Sequence, residues 1–292
     1  MLESAHCKRG AFFFVLSSTN CYQHQRNICL FYKMNISFLY RNYYIRMLLK
    51  KWVLFGLSFF CLTLALPALG QKGKQNFYEL RTYTLKDKSG EALLDAYLQQ
   101  AYLPALHRAG IAQVGVFKTA DKAAADQKLY LFIPYKSYDQ AFKTAQKVEK
   151  DKQYITAAQA YTNTPHNKTP YTRYETVWME AFAGMPGVHV PALKAKKEDR
   201  IYELRSYEAA TEKLHQNKID MFNKGEIQIF ERLHFEALFY GRVLAGSKMP
   251  NLMYMTSFEN MDERNAHWKA FGADPAWKEL SAKPEYKNNV SK

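Results

Sequence analysis

Tyr78-Glu79-Leu80-Arg81-Thr82-Tyr83 returns as Tyr202-Glu203-Leu204-Arg205-Ser206-Tyr207, 124 residues later. A unit repeated at that distance is a duplicated domain, because solenoid and propeller repeats run roughly 20 to 50 residues. Leu129, Asp139 and Asp151 keep the register, with counterparts at Leu252, Asp262 and Asp274, each 123 residues on. The two copies differ by about one residue of loop.

Around the first hexapeptide, Phe77 to Leu85 alternates apolar and polar residues as a half-buried strand does. Leu93, Leu94, Tyr97, Leu98, Ala101 and Leu106 recur at helical spacing over Glu91 to Ala109, and Gly110 ends that helix. Ile111 to Phe117 and Lys128 to Tyr135 read as strands, the second apolar on both faces. Ser137-Tyr138-Asp139-Gln140 opens a second helix that runs toward Ala160, and Tyr171 to Phe182 is a fourth strand. The order β-α-β-β-α-β is that of a ferredoxin-like unit.

The second copy repeats the plan with strands at Arg200 to Tyr207, Phe235 to Leu244 and Leu252 to Phe258, and helices at Glu212 to Leu233 and Met261 to Phe271. Asp274-Pro275 starts a further short helix, Asp as N-cap and Pro at the first helical position. A strand matching Tyr171 would begin two residues beyond Lys292, so the second sheet is expected to be one strand short, with an open edge. Repeat 1 is thus 76–182, the Pro- and Lys-rich stretch 183–199 a linker, and repeat 2 spans 200–292. The expected fold is α+β: two ferredoxin-like repeats packed sheet to sheet, each covering the apolar sheet face the other would expose.

Residues 1–70 stand apart from this fold. Met47-Leu48-Leu49-Lys50-Lys51, the apolar run Trp52 to Leu66 and Ala68-Leu69-Gly70 follow the basic, apolar, small order of a secretory signal peptide. An uncleaved anchor is the alternative, and the run is short against the roughly 20 residues that span a bilayer. Residues 1–46 precede that signal and are read as a mis-called upstream segment. All four cysteines, Cys7, Cys21, Cys29 and Cys61, lie in this part, so residues 71–292 can form no disulfide or thiolate metal site. Without residues 1–70 the net charge falls from +14 to +7, with 33 Lys and Arg against 26 Asp and Glu. Spread over two repeats, that balance describes a solvated surface rather than a nucleic-acid site. The expected location is periplasmic or secreted, with the membrane involved only through the signal segment.

Beside the paired strands stand Gly225-Glu226-Ile227-x-Ile229-Phe230, Gly246-Ser247-Lys248-Met249-Pro250-Asn251-Leu252-x-Tyr254-Met255, Trp268-Lys269-x-Phe271 and Asp274-Pro275-x-Trp277. On these motifs, about Asn76 to Tyr286 resembles the NIPSNAP family in the tandem form of exported bacterial proteins. The resemblance implies a dimeric α/β-barrel fold and no established reaction. Its animal members are mitochondrial, and the wider superfamily includes small-molecule monooxygenases and haem-binding enzymes, so a buried ligand site is expected by analogy alone.

In an alternating strand Glu79, Arg81 and Tyr83 share one face, as do Glu203, Arg205 and Tyr207. If the helix-facing side is apolar, these six line the space between the sheets, either as structural ion pairs or as a grip on an anionic ligand. His107 and His234 are not duplicated and are further candidates, read alternatively as helix-end or surface groups. No His/Asp/Glu group has ligand spacing, so no metal is expected, and no cofactor is expected. Phosphate-loop and G-x-S-x-G signatures are absent from residues 71–292. Two functions stay open: a binding or scaffold protein for a small molecule or partner chain, and a cofactor-independent enzyme, monooxygenase- or isomerase-like, working between the sheets. A homo-oligomer also stays open.

Overall fold

The computed structural model describes residues 75–292, so the expected upstream segment 1–46 and the expected signal peptide 47–70 lie outside the described residues. Strand β1 (Phe77–Leu85) carries the first hexapeptide and pairs antiparallel on both sides, with β3 (Lys128–Tyr135) and β4 (Tyr171–Ala181). Glu79 stands opposite Ile133 on one side and Trp178 on the other. Strand β2 (Gly115–Lys118) adds to β3 as an edge. In the second copy β5 (Ile201–Glu208) pairs with β7 (Asn251–Phe258), which pairs with β6 (Glu236–Ala245).

The two sheets are joined rather than merely stacked. Met179 to Ala181 of β4 pair with Gly241 to Val243 of β6, giving one antiparallel seven-stranded sheet in the order β2-β3-β1-β4-β6-β7-β5. Its ends curl toward each other, bringing Phe117 of β2 within 4.8 Å of Tyr202 of β5, ring centre to ring centre. Inside the curl lies a shared core of Tyr78, Leu80, Phe132, Met179, Phe239 and Met255. Phe132 stacks on Phe239 at 4.5 Å, so one residue from each copy meets at the centre. At the free end of β5 the Glu208 N–H donates to Lys292 and Ser291 donates to Glu208.

Helices cover the outer face. The first copy has α1 (Lys88–Tyr97), a π-helical turn (Leu98–Tyr102), α2 (Leu103–Ala109), α3 (Tyr138–Glu149), α4 (Lys152–Ala157) and α5 (Gln159–Thr162). The second has α6 (Glu212–Met221), a π-helical turn (Phe222–Glu226), α7 (Ile227–Arg232), α8 (Met261–Ala273) and α9 (Pro275–Ala282). Capping residues start them where short polar side chains precede apolar runs: Asp87 accepts from Gly90, Ser137 from Gln140, Asn260 from Glu263 and Asp274 from Trp277. The helix expected over Glu91 to Ala109 is therefore real but interrupted, as the Leu103 N–H reaches back five residues to Leu98. Ile227 does the same to Phe222, so the interruption is itself duplicated, 124 residues on.

Gly110 ends α2 in the left-handed region at φ 102°, which an L side chain enters at a cost. Its counterpart His234 adopts φ 61° at the end of α7.

Candidate functional site

The face assignment of the repeated strand is the reverse of the expected one. Tyr78 and Leu80 point into the space between the two halves of the sheet, and Glu79, Arg81 and Tyr83 point out toward the helices. The physical reason is access to water. The inside of the curl is walled by strands and filled with buried rings, whereas the layer between sheet and helices opens at its edge, where a guanidinium can bury its stem and keep its head near solvent. A site between the sheets is thus contradicted, because that space is packed with Tyr78, Phe132 and Phe239, each at most 2% exposed.

A cleft of about 130 Å³ lies instead on the helix side of the first copy, between β1, α2 and α3. Glu79, Arg81 and Trp178 form its floor, Tyr102 and Leu106 one wall, and Tyr135, Ala141 and Ala145 the other. Tyr138 and Phe142, 61% and 63% exposed, stand at its rim. Tyr102 is the last residue of the π-helical turn, so this irregular turn supplies part of the site.

The charges in the cleft are organised around Glu79, which is 3% exposed. Its Oε1 accepts from the Arg81 Nε at 2.5 Å and its Oε2 from the Tyr135 hydroxyl at 3.0 Å. Burial, and next the Glu79 charge, push the Tyr135 phenol above its usual range, so it stays a protonated donor. Burial opposes the charge on Arg81, but Tyr102 and Glu79 beside it more than offset this and hold the guanidinium protonated. The guanidinium carbon sits 5.0 Å from the centre of the Tyr102 ring.

The matching place in the second copy is occupied by the protein itself. Helices α3 and α8 start 123 residues apart, which aligns Ala141 with Arg264 and Ala145 with Trp268. The Arg264 guanidinium holds Glu203 through two bonds of 2.8 Å, and the Trp268 indole N–H donates to the same carboxylate at 2.8 Å. Arg205 lies 4.4 Å from the Trp268 ring centre and 5.5 Å from that of Tyr207. Two alanines therefore leave open in the first copy what an arginine and a tryptophan fill in the second.

Of the eight residues singled out by sequence, the structure brings Glu79 and Arg81 into the open cleft and Glu203 and Arg205 into its filled counterpart. Tyr83 is buried beside them and stacks on Tyr174 at 4.9 Å, and the Tyr207 hydroxyl meets that of Tyr254 at 3.0 Å. His107 and His234 are elsewhere. Both are exposed at helix ends, and the His107 Nδ1 is 2.9 Å from the Ile111 carbonyl. Sequence reasoning missed Tyr102, Trp178, Ala141 and Ala145. Aligning the helices of the two repeats would have exposed the last two, because small residues facing large charged or aromatic ones mark a cavity.

Among the described residues no group of three or more His, Cys, Asp or Glu could hold a metal ion, and no helix is long and apolar enough to cross a membrane. Comparison with solved structures finds a candidate monooxygenase of Fusobacterium nucleatum, 8% identical with a TM-score of 0.49, the match covering 75% of this chain and 89% of that one. Another candidate monooxygenase, from Lactobacillus acidophilus, is 12% identical with a TM-score of 0.47, over 75% and 90% of the two chains. A NIPSNAP family protein of unknown function from Agrobacterium tumefaciens is 16% identical with a TM-score of 0.30, over 37% and 89%. No curated protein sequence matches the chain. The NIPSNAP family model matches residues 202–292, most of the second copy. The chain thus carries a NIPSNAP domain at residues 202–292, and its fold is α+β with a curled, ferredoxin-like duplicated sheet.

Proposed function

We propose that this protein binds a small molecule in the helix-side cleft of its first copy, and that the second copy is a filled partner that completes the shared core. One observation carries this: the same structural position holds Ala141 and Ala145 in one copy and Arg264 and Trp268 in the other. A cleft of about 130 Å³ is below the roughly 300 to 1,000 Å³ of drug-sized sites, so the ligand is small or inserts only one end. Binding outside the cytoplasm is part of the same proposal and rests on the basic, apolar, small order of residues 47–70.

Catalysis in the same cleft is the second reading. Glu79 places a carboxylate in the cleft, oriented by Arg81 and the Tyr135 hydroxyl, which is the arrangement a general base needs. The binding reading is tested with Ala145→Trp. Ala145 is exposed, so the larger ring has room to enter as Trp268 does. The full chain is expected to show saturable thermal shifts with a subset of a fragment library, and Ala145→Trp is expected to lose them while keeping its circular dichroism spectrum. Retained shifts in the variant would remove the cleft as the site.

A further inference from the structure

We propose that the cleft takes a small flat arene carrying a ring-edge N–H or O–H donor, stacked on Arg81 and donating to Glu79. This rests on the cleft being the binding site. The second copy supplies the template. There the corresponding space is occupied by an indole ring whose N–H donates to Glu203 at 2.8 Å and whose face lies 4.4 Å from the Arg205 guanidinium carbon. The first copy keeps the carboxylate and the guanidinium of that arrangement and lacks the ring, since Ala145 stands where Trp268 does.

The hydrogen-bond count agrees. Glu203 accepts four bonds, from Arg205, twice from Arg264, and from Trp268. Glu79 accepts two, from Arg81 and Tyr135, although at 3% exposure it is the more buried of the two. A carboxylate offers about four acceptor positions, so Glu79, which lines the cleft, has capacity left. Size points the same way: a cavity of about 150 Å³ in a protein core admits benzene, and this cleft of about 130 Å³ is open at its rim. Tyr102, Tyr135 and Trp178 add aromatic walls.

The experiment measures binding of two matched pairs, indole with 1-methylindole and phenol with anisole, to the full chain and to Ala145→Trp, using ligand-observed NMR and thermal shift, with benzoate as an anionic control. The donor member of at least one pair is expected to bind at least about tenfold more tightly than its methylated partner, the loss of one hydrogen bond to a charged acceptor. That binding is expected to disappear in Ala145→Trp. Equal binding within both pairs, or binding of benzoate alone, each abolished by Ala145→Trp, would overturn the donor-arene class and leave the cleft as a site. Binding that survives Ala145→Trp would overturn both. Failure of all five probes overturns the donor arene, while the fragment screen independently decides the cleft.

Discussion

At the scale of single residues, Glu203 shows what the second copy gains by closing its cleft. Burial pushes its carboxyl upward, but the Arg264 and Trp268 hydrogen bonds outweigh that and hold it below the ordinary range. A folded-state value below the unfolded one means stabilisation that is present above an unfolded value of about pH 4.3 and is lost as pH falls through the lower folded value. Glu203→Gln is therefore expected to lose about 1 kcal/mol at neutral pH, a figure discounted for partial exposure. Urea titrations of parent and variant should converge as pH falls through that lower folded value, where the parent carboxyl protonates too. A gap that persists unchanged in acid would assign the loss to packing instead. The candidate residues Glu79, Arg81, Glu203 and Arg205 were legible because the repeat makes them conspicuous. Their facing was not, since alternation divides a strand into two faces without saying which one is drier. His107 and His234 were singled out because they break the repeat, and each turns out to sit where a helix stops.

Among the elements, the duplicated π-helical turns carry the sharpest difference between the copies. The first ends in Tyr102 and follows a helix containing Leu94. The second ends in Glu226 and follows Lys218, each residue 124 positions on. Lys218 and Glu226 form a buried ion pair of 2.7 Å, with 6% and 3% of their side chains exposed, and burial pushes the Glu226 carboxyl upward. Such pairs are often replaceable by apolar residues with no loss, or a gain of about 1 to 4 kcal/mol, while removing one partner costs about 3 to 5 kcal/mol. The first copy names the replacements. Lys218→Leu alone is expected to destabilise strongly, and Lys218→Leu with Glu226→Tyr to recover most or all of that loss in guanidinium unfolding. A double variant no better than the single would show that the pair does more than satisfy itself. Helix starts were readable at Ser137 and Asp274, whose short side chains bind their own first turns, whereas Asp87 caps the first helix three residues ahead of the expected Glu91. The π turns were not, because widening one turn by a residue leaves the apolar pattern nearly intact over so short a span.

On the scale of the molecule, residues 75–292 belong to one compact unit, and the strand order explains why. Two sheets merely stacked could separate; here β4 and β6 share hydrogen bonds, and Phe239 of the second copy packs on Tyr78 and Phe132 of the first. Phe239→Ala is expected to cost about 3 to 5 kcal/mol. The loss should appear in a single unfolding transition followed equally by probes in either copy. Hydrogen exchange that left Leu94 and Leu106 as protected as in the parent would contradict that coupling. The duplication was legible from the paired hexapeptides, and the order of elements within each copy from the periodicity around them. The edge-to-edge joining was not, since nothing in an isolated strand records which neighbour lies across a gap of sixty residues. That both halves are written in one chain has a genetic corollary. In a symmetric homodimer every substitution falls on both subunits at once, so no half can change its character alone. Fusion lifts that restriction. An alanine at 145 and a tryptophan at 268 can be inherited together, each under its own selection.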